Sequence, residues 1–508
     1  MAACGDNTQS AANVTSGGAT TAATNTTSAA GAATTAAATT AAASAAATTA
    51  AANTTSAAAT TAAATTSAAA TTSSAAATTA ATTSSSATTA AANTTTGTGA
   101  TTGATAGQGK AQPGTLQVSV VKGAMIDTMR KLADKFQQAN PGVKVEVVEE
   151  PEGGTFDALI AAGNQPDMFV GSFGSQIGKY AAQQSIIPME DLAGAKDLFA
   201  QVEPETLKQL YGHNYYVPIG SDVTMMIYNK DLFKEAGLDP NKPPQTWEEF
   251  LSAAQKIQAL PARPNGKVYG TVFWNEALTF GGWYWNLLQP IYLNANQNQC
   301  QLLNRLGTDI VFDKPECKMQ DFFNFAKNAQ KYAPPTMEKN FFSRTIGMWM
   351  QYGYSWEPNL KEAANKPMVI GDDVGIAPVP VQKAGDTSYS TYGGRALMIM
   401  KTTPDRQNRA WEFVKFLMQN ENNLQFIKEL GYLPTLTSLK NDAYFTDPVR
   451  KPFIDELKNA IFPQSFSSAE DVANSILGVY QQVVVQGSLP VDQGVSMAAD
   501  KSRQILKK

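Results

Sequence analysis

Val217-Pro-Ile-Gly-Ser-Asp-Val-Thr-Met-Met-Ile-Tyr-Asn-Lys-Asp-Leu-Phe-Lys-Glu-Ala-Gly237 is the stretch on which the rest of the chain turns. Its opening Pro-Ile-Gly reads as a turn that carries one carboxylate, Asp222. The apolar run from Val223 to Tyr228 reads as a buried strand. Asn229 stands where a helix N-cap belongs, and Asp231-Leu-Phe-Lys-Glu-Ala makes a helical turn that Gly237 stops. An acid in a turn therefore leads into a core strand and then out into a surface helix. That order is expected of a crossover between two lobes, with a ligand held at the crossover.

N-terminal to this stretch the composition changes abruptly. Between Asp6 and Lys110 there is no charged residue, no proline and no aromatic, only Ala, Thr, Ser, Asn, Gly and a rare Gln or Val. Such a segment buries too little surface to offset an ordering entropy of roughly 1–2 kcal/mol per residue. Its β-branched Thr pairs also work against helix in the alanine runs. Residues 1–112 are expected to be a disordered tether, and 113–508 a body ample for two lobes. Charges are nearly balanced, 39 Lys and Arg against 43 Asp and Glu, with no basic run, which argues against a nucleic-acid partner. No stretch approaches the ~20 apolar residues of a membrane span.

The three cysteines divide into two kinds. Cys300 and Cys317 flank a loop short enough for a disulfide, the alternative being two unrelated buried thiols. Cys4, in Met1-Ala-Ala-Cys-Gly-Asp6, resembles the end of a bacterial lipobox, whose cysteine becomes lipidated; the apolar run that precedes such a box is expected upstream. A lipid there would anchor the chain, and the tether would give the body a reach on the order of 50–60 Å.

Downstream of the tether, Thr115-Leu-Gln-Val-Ser-Val-Val121 alternates like a strand, 125–139 has helical apolar spacing, and Val143-Lys-Val-Glu-Val-Val148 alternates again. This strand–helix–strand unit seeds an α/β sheet. Gln165-Pro-Asp-Met-Phe-Val170 is a short buried strand ending in the loop Gly171-Ser-Phe-Gly-Ser175. Ligands gather at the carboxyl ends of strands in open α/β sheets, so Ser172 and Ser175 become candidates, unless the loop is an ordinary βα turn. Thr246 with Glu249 forms a capping box that starts a helix. Two aromatic clusters follow, one with Trp274, Glu276, Trp283 and Trp285, the other with Trp349, Tyr354 and Trp356. Asp373-Val-Gly-Ile-Ala-Pro-Val-Pro-Val381 reads as a strand with a proline-rich exit, and Tyr392-Gly-Gly-Arg395 as a glycine loop entering another strand.

Much catalytic chemistry is missing. One histidine, His213, and three cysteines make neither a typical zinc site nor a Cys–His dyad. No G-x-S-x-G elbow, Walker loop or G-x-G-x-x-G fingerprint occurs. Asp222 with Glu276 remains as a glycosidase-type carboxylate pair. What the chain does offer is aromatic faces, amides and a few acids in glycine-bearing loops. Flat rings pack on the C–H faces of sugars, and acids, amides and Arg pair with hydroxyls that are costly to desolvate alone. The same tryptophans also suit a core.

Several motifs occur in one order: Asn140-Pro-Gly-Val-Lys-Val-Glu-Val, Gln165-Pro-Asp-Met-Phe, Ile186-Ile-Pro-Met-Glu-Asp-Leu, Ile227-Tyr-Asn-Lys-Asp-Leu-Phe-Lys-Glu-Ala-Gly-Leu-Asp, Pro244-Gln-Thr-Trp-Glu-Glu-Phe, Pro378-Val-Pro, Gly393-Gly394, Ala410-Trp-Glu-Phe-Val-Lys-Phe-Leu and Gly431-Tyr-Leu-Pro. With them the chain resembles, across 115–508, the maltose-binding-like extracellular solute-binding proteins of bacterial sugar ABC importers. The resemblance implies an α/β periplasmic-binding-protein fold with two discontinuous lobes, about 115–221 with 390–435 and about 224–380 with 436–508. It places the hinge crossings near Ser221–Thr224 and 380–393. It implies a monomeric receptor without cofactor or metal, at the cell surface or in the periplasm, that closes on a sugar or polyol and delivers it to permease subunits. Asp222, four residues after Pro218, matches the family's sugar-binding acid, and Tyr354 its ring-stacking aromatic. Trp274, Glu276, Trp283, Trp356, Ser172, Ser175, Gly394 and Arg395 complete the expected ligand set. The 172–175 loop lacks the family's frequent acid, which speaks against maltose itself. Relatives that bind glycerol-3-phosphate share Tyr-Asn-Lys-Asp and Gly-Tyr-Leu-Pro, and Arg395 suits a polyol phosphate. A surface glycosidase and an adhesive stalk protein are the readings from other classes.

Overall fold

The computed structural model describes residues 111, 113–151, 155–273, 284–335, 341–352 and 356–507. The chain divides into two compact units, Met1–Thr98 and Gly99–Lys508, and all described residues belong to the second. The expected tether and Cys4 lie outside them. Among the described residues no helix is long and apolar enough to cross a membrane.

The seed unit forms as its alternation dictates. β1 (Gly114–Val120) and β2 (Val143–Glu149) pair in parallel, joined by helix Ala124–Ala139, which buries Met129, Leu132 and Phe136. β3 (Met168–Ser172) lies parallel on the other side of β1. β4 (Val217–Asn229), β5 (Tyr269–Val272), β6 (Ile346–Tyr352), β7 (Val374–Ala377), β8 (Ser390–Ile399) and β9 (Ala460–Ile461) complete a nine-stranded sheet. Its order is β2-β1-β3-β8-β4-β6-β5, with β7 also on β4 and β9 on β8.

β4 joins the two halves of that sheet. Its first half, Val217 to Val223, runs antiparallel to β8, while Thr224 to Tyr228 pairs with β6 and Met226 to Asn229 with β7. All 13 of its residues are buried, as a strand covered on both faces requires. Val217 and Ile219 enter one core, Met226 and Tyr228 a second, and Val223, Met225 and Ile227 a third. The strand is longer than its apolar run suggested, because Pro218-Ile-Gly220 is not a turn. It lies inside β4 at a register shift between Pro218 and Gly220; a proline without an N–H is tolerated at such a bulge. Tyr392-Gly-Gly394 is likewise strand and not loop, within β8.

Helices cover both halves. The first half packs Phe136, Phe413 and Phe426 on one face and Phe156, Ile177 and Tyr180 on the other. The second half packs Phe250, Ile291, Phe322 and Ile476 on one face and Phe341, Trp349, Trp356 and Phe453 on the other. Local signals hold these helices in place. Asn229 Oδ1 accepts from the N–H groups of Asp231 and Leu232 at 3.1 and 3.2 Å. Thr246 and Glu249 form the full capping box of helix Trp247–Gln258, and Gly431, at φ 70°, ends helix Asn420–Leu430.

The C-terminal part then crosses the sheet. Leu436, Leu439 and Phe445 pack in the first-half core, whereas Phe453 packs in the second, so the chain changes sides after Phe445. Glu456 follows on this crossing, at the end of helix Lys451–Glu456, and is 6% exposed. Its Oε2 accepts from Asn459 at 3.4 Å, and its Oε1 makes no hydrogen bond among the described residues. Burial pushes this carboxyl up to about 7, against smaller opposing effects of Asn459 and Lys458.

A raised folded-state value means that the contribution of protonated Glu456 is present in full below the unfolded value of about 4.3. It is lost as pH rises through the folded value. Glu456→Gln is expected to leave stability at pH 4 little changed and to raise it at pH 8, flattening the wild-type decline in urea denaturation. The disulfide Cys300–Cys317 spans 17 residues with its Cα atoms 5.3 Å apart. Cys300→Ser with Cys317→Ser should lower unfolding free energy by about 2–4 kcal/mol, which the same measurement, with wild type in reductant as a second arm, will read.

Candidate functional site

Where β4 passes from one half of the sheet to the other, polar side chains converge that the surrounding cores do not need. β8 sets the geometry. Arg395 lies opposite Ser172 on β3 and opposite Gly220 on β4, so it sits in the middle of three strands. Its Nη1 donates to Ser172 Oγ and its Nε to Tyr432 Oη, both at 2.9 Å. Ser172 N–H donates to Gln176 Oε1 at 3.3 Å, which ties the end of β3 to helix Ser175–Ala182. Glu150, the residue after β2, belongs to the same group. Burial pushes its carboxyl up, and the Arg395 charge and a hydrogen bond with Gln176 pull it back. Glu150, Ser172, Gln176, Arg395 and Tyr432 thus stand at the carboxyl ends of β2 and β3, the place where α/β sheets hold ligands.

Asp222 is fully buried on β4, opposite Gly393 of β8, and its Oδ1 accepts from the Val223 N–H at 3.1 Å. It lies two residues along β4 from Gly220, about 7 Å of strand, beside the Arg395 register position. Ser221, next to it, exchanges both backbone hydrogen bonds with Leu433, at 2.9 and 2.8 Å, so Gly431-Tyr-Leu-Pro434 is an added strand edge as well as a turn. Gly394 is required by crowding. At φ +134° a Cβ there would meet Gly220 O at 2.2 Å, Phe173 Cε2 at 2.6 Å and Ser221 Cα at 2.7 Å.

From the second half of the sheet, the π-helical turn Tyr284–Leu288 is pinned to this crossing. Thr224 Oγ1 donates to Asn286 O at 3.3 Å and Thr391 Oγ1 to Trp285 O at 2.9 Å, while Ser390 Oγ donates to Thr224 O at 2.8 Å. Trp274, Glu276, Trp283 and Tyr354 lie outside the described residues. Ser175 opens helix Ser175–Ala182. Trp356 is not in this group: it is 2% exposed and packs with Phe453, ring centroids 6.3 Å apart, in the core under β6. Of the expected residues, the structure therefore gathers Ser172, Asp222, Gly394 and Arg395 at one crossing. Glu150, Gln176 and Tyr432 join them without having been singled out. Glu150 was marked only by its place after an alternating strand, and Tyr432 by the Gly-Tyr-Leu-Pro motif. Among the described residues no group of three His, Cys, Asp or Glu could hold a metal ion. His213 pairs with Glu190 through Nδ1.

One strand shared by both halves of the sheet, with a charged and hydroxylic cluster where it changes partners, defines an α/β protein built on a single mixed sheet. The chain belongs to the bacterial extracellular solute-binding protein family, which it matches over residues 122–424. It is 27% identical to a maltotriose-binding protein of Pyrococcus abyssi over 391 residues, 71% of this chain and 75% of that one. It is also 27% identical to an sn-glycerol-3-phosphate-binding periplasmic protein of Brucella melitensis over 379 residues, 70% of this chain and 83% of that one. The fold matches the GacH receptor of Streptomyces glaucescens with a TM-score of 0.65 and 21% identity, covering 78% of this chain and 99% of that one.

Gly394→Ala tests the crossing directly. With no room for a methyl group and an unfavourable φ, it is expected to destabilise the protein by more than about 1–3 kcal/mol in chemical denaturation. Gly385→Ala has a positive φ but nothing within 4 Å of the added Cβ, and should cost less.

Proposed function

We propose that this chain is the substrate-binding component of an ABC importer, which captures a carbohydrate between two lobes and delivers it to membrane permease subunits. The observation that carries the reading is β4 itself. One buried strand belongs to both halves of the sheet, and Asp222, Arg395 and Ser172 cluster where it changes partners. On this reading the lobes are about 115–221 with 390–435 and about 224–380 with the C-terminal segment. Asp222 is a hydrogen-bond acceptor for a sugar hydroxyl, and Arg395 and Ser172 supply donors. Trp274, Trp283 and Tyr354 supply ring faces, and Glu276 a second acceptor. The protein acts by binding and not by catalysis. A ligand touching both lobes shifts the population toward the closed arrangement by its extra contacts there. The receptor works as a monomer, held at the cell surface or in the periplasm by a lipid on Cys4.

A second reading, a polyol phosphate such as glycerol-3-phosphate, is favoured by the half-buried Arg395 guanidinium at the crossing and by the likeness to the glycerol-3-phosphate-binding protein of Brucella. A guanidinium pairs well with phosphate oxygens.

Titration calorimetry against neutral sugars, polyols and their phosphates separates these readings. One class should bind without turnover, and Asp222→Asn should weaken it roughly ten- to a hundredfold. Arg395→Gln should weaken a phosphate ligand more than a neutral one. Hydrolysis of a glycan that Asp222→Asn abolishes would sink the receptor reading, and a melting temperature that no small ligand moves would favour the adhesive one. Cys4→Ser, expressed with a complete export signal, should release the protein from membranes.

A further inference from the structure

Residues 446–461 run between the two halves of the sheet, and one buried carboxyl group stands in the middle of that passage. Phe453 packs in the second-half core. Glu456 follows it by three residues on helix Lys451–Glu456 and so shares its buried face. Leu457 and Ala460 then touch two cores at once, that of Phe341, Trp349 and Phe453 and that of Phe156, Phe169 and Tyr180. Ala460 and Ile461 form β9, paired in parallel with Ser390 and Thr391 of β8. The Phe462 ring stacks on Tyr392, centroids 4.2 Å apart.

The passage is tied to the crossing of β4. Ser390 Oγ donates to Thr224 O at 2.8 Å and Thr391 Oγ1 to Trp285 O at 2.9 Å. β9 therefore adds its backbone to the two residues of β8 that already hold β4 and the turn Tyr284–Leu288. Loosening residues 457–461 would remove a strand pair at the point where the two halves of the sheet meet.

Glu456 is the group on this segment that burial leaves poorly satisfied. Among the described residues its Oε1 has no hydrogen-bond partner, and its Oε2 has the Asn459 amide at 3.4 Å. The charged groups around it are engaged elsewhere. Lys451 and Asp455 of its own helix pair with each other at 2.6 Å, and Arg450, just before that helix, pairs with Glu357 at 2.7 Å. Asp222 and Tyr228 on β4, Tyr392 and Arg395 on β8, and Tyr444 are the titratable groups of the neighbouring elements, and none of them acts on it. Lys458, exposed on the turn that follows, does act, but less than burial. An ionised carboxylate there lacks partners to offset its lost hydration, a cost the neutral acid avoids. Burial accordingly pushes this carboxyl up to about 7. The ionised form regains water if its cover moves, and that cover includes the single 3-10 turn Leu457–Asn459.

We propose that Glu456 is a proton-controlled latch on this crossing: neutral, it lets residues 457–461 dock on β8, and ionised, it draws them away. The sign follows from burial. Docking is favoured in full below the solvated value of about 4.3, and that contribution is lost as pH rises through the docked value of about 7. The crossing is therefore tight in acid and looser in alkaline medium. The latch does not depend on what the crossing binds, and its test uses no ligand.

The test follows backbone hydrogen exchange of the full chain between pH 4 and pH 8, wild type against Glu456→Gln, which matches the neutral acid in size. The ratio of the two proteins at each pH cancels the intrinsic pH dependence of exchange. At residues 457–461 the ratio of wild type to variant should rise roughly tenfold or more across that range. This exchange should run ahead of the most protected amides of β1 and β2 and should not respond to low urea, the marks of a local opening. A protonated-carboxyl infrared band at pH 6, present in wild type and missing from Glu456→Gln, is the second expected result. The latch is overturned if the ratio stays flat with pH or if the infrared band is missing from wild type. It is overturned equally if residues 457–461 exchange only together with the β1 and β2 amides, since ionisation then acts on global stability alone.

Discussion

The backbone of β4 is the constraint from which the rest follows. A strand of 13 buried residues must have its N–H and C=O groups paired along its length, because an unpaired buried amide costs about as much as a lost hydrogen bond. No single partner does this. β8 and the Leu433 segment serve its first half, β6 and β7 its second. The change of partners at Val223 and Thr224 marks where the two halves of the one sheet meet. The close approach of β8 at the same point demands glycine, and Gly394 supplies it.

Burial at that crossing dictates which polar groups survive there. Asp222 and Arg395 stand among buried backbone, where a charge without partners is expensive. Arg395 is spread over Ser172, Tyr432 and the field of Glu150. Burial pushes the Glu150 carboxyl up, against the lowering effect of the Arg395 charge. Such a cluster does little for packing that apolar residues would not do better, which makes it the place to look for recognition.

Local chemistry made part of this readable from the residues alone. The cap at Asn229, the box at Thr246 and Glu249, and the glycine stop at Gly431 all act within a few residues, and they stand where their sequence signals put them. The alternation of β1 and β2 was equally local. What failed was glycine and proline read as punctuation. Pro218-Ile-Gly220 and Tyr392-Gly-Gly394 look like turns until the partner strand is known, and only then does a bulge or a close approach explain them. Aromatics were ambiguous for a similar reason. Trp356 has the composition of a sugar platform and the position of a core residue, since burial is decided by Phe453, 97 positions away in the chain. Glu150 and Tyr432 matter through Arg395, a relation made by strand order and invisible in any one segment.

The two faces of the β3–β8 pair show how one constraint yields two kinds of surface. Strand alternation sends Ser172 and Arg395 to one side and Phe173 to the other, with Gly394 leaving room between them. On the first side Arg395 already donates to Tyr432 and Ser172. On the second side the neighbours are loops, among them the disulfide-closed one. A charge already satisfied recognises by geometry, through the exchange of one hydrogen-bond partner for another. The same strand pair therefore carries a polar, hydrogen-bonded face at the crossing and an apolar, aromatic face behind it.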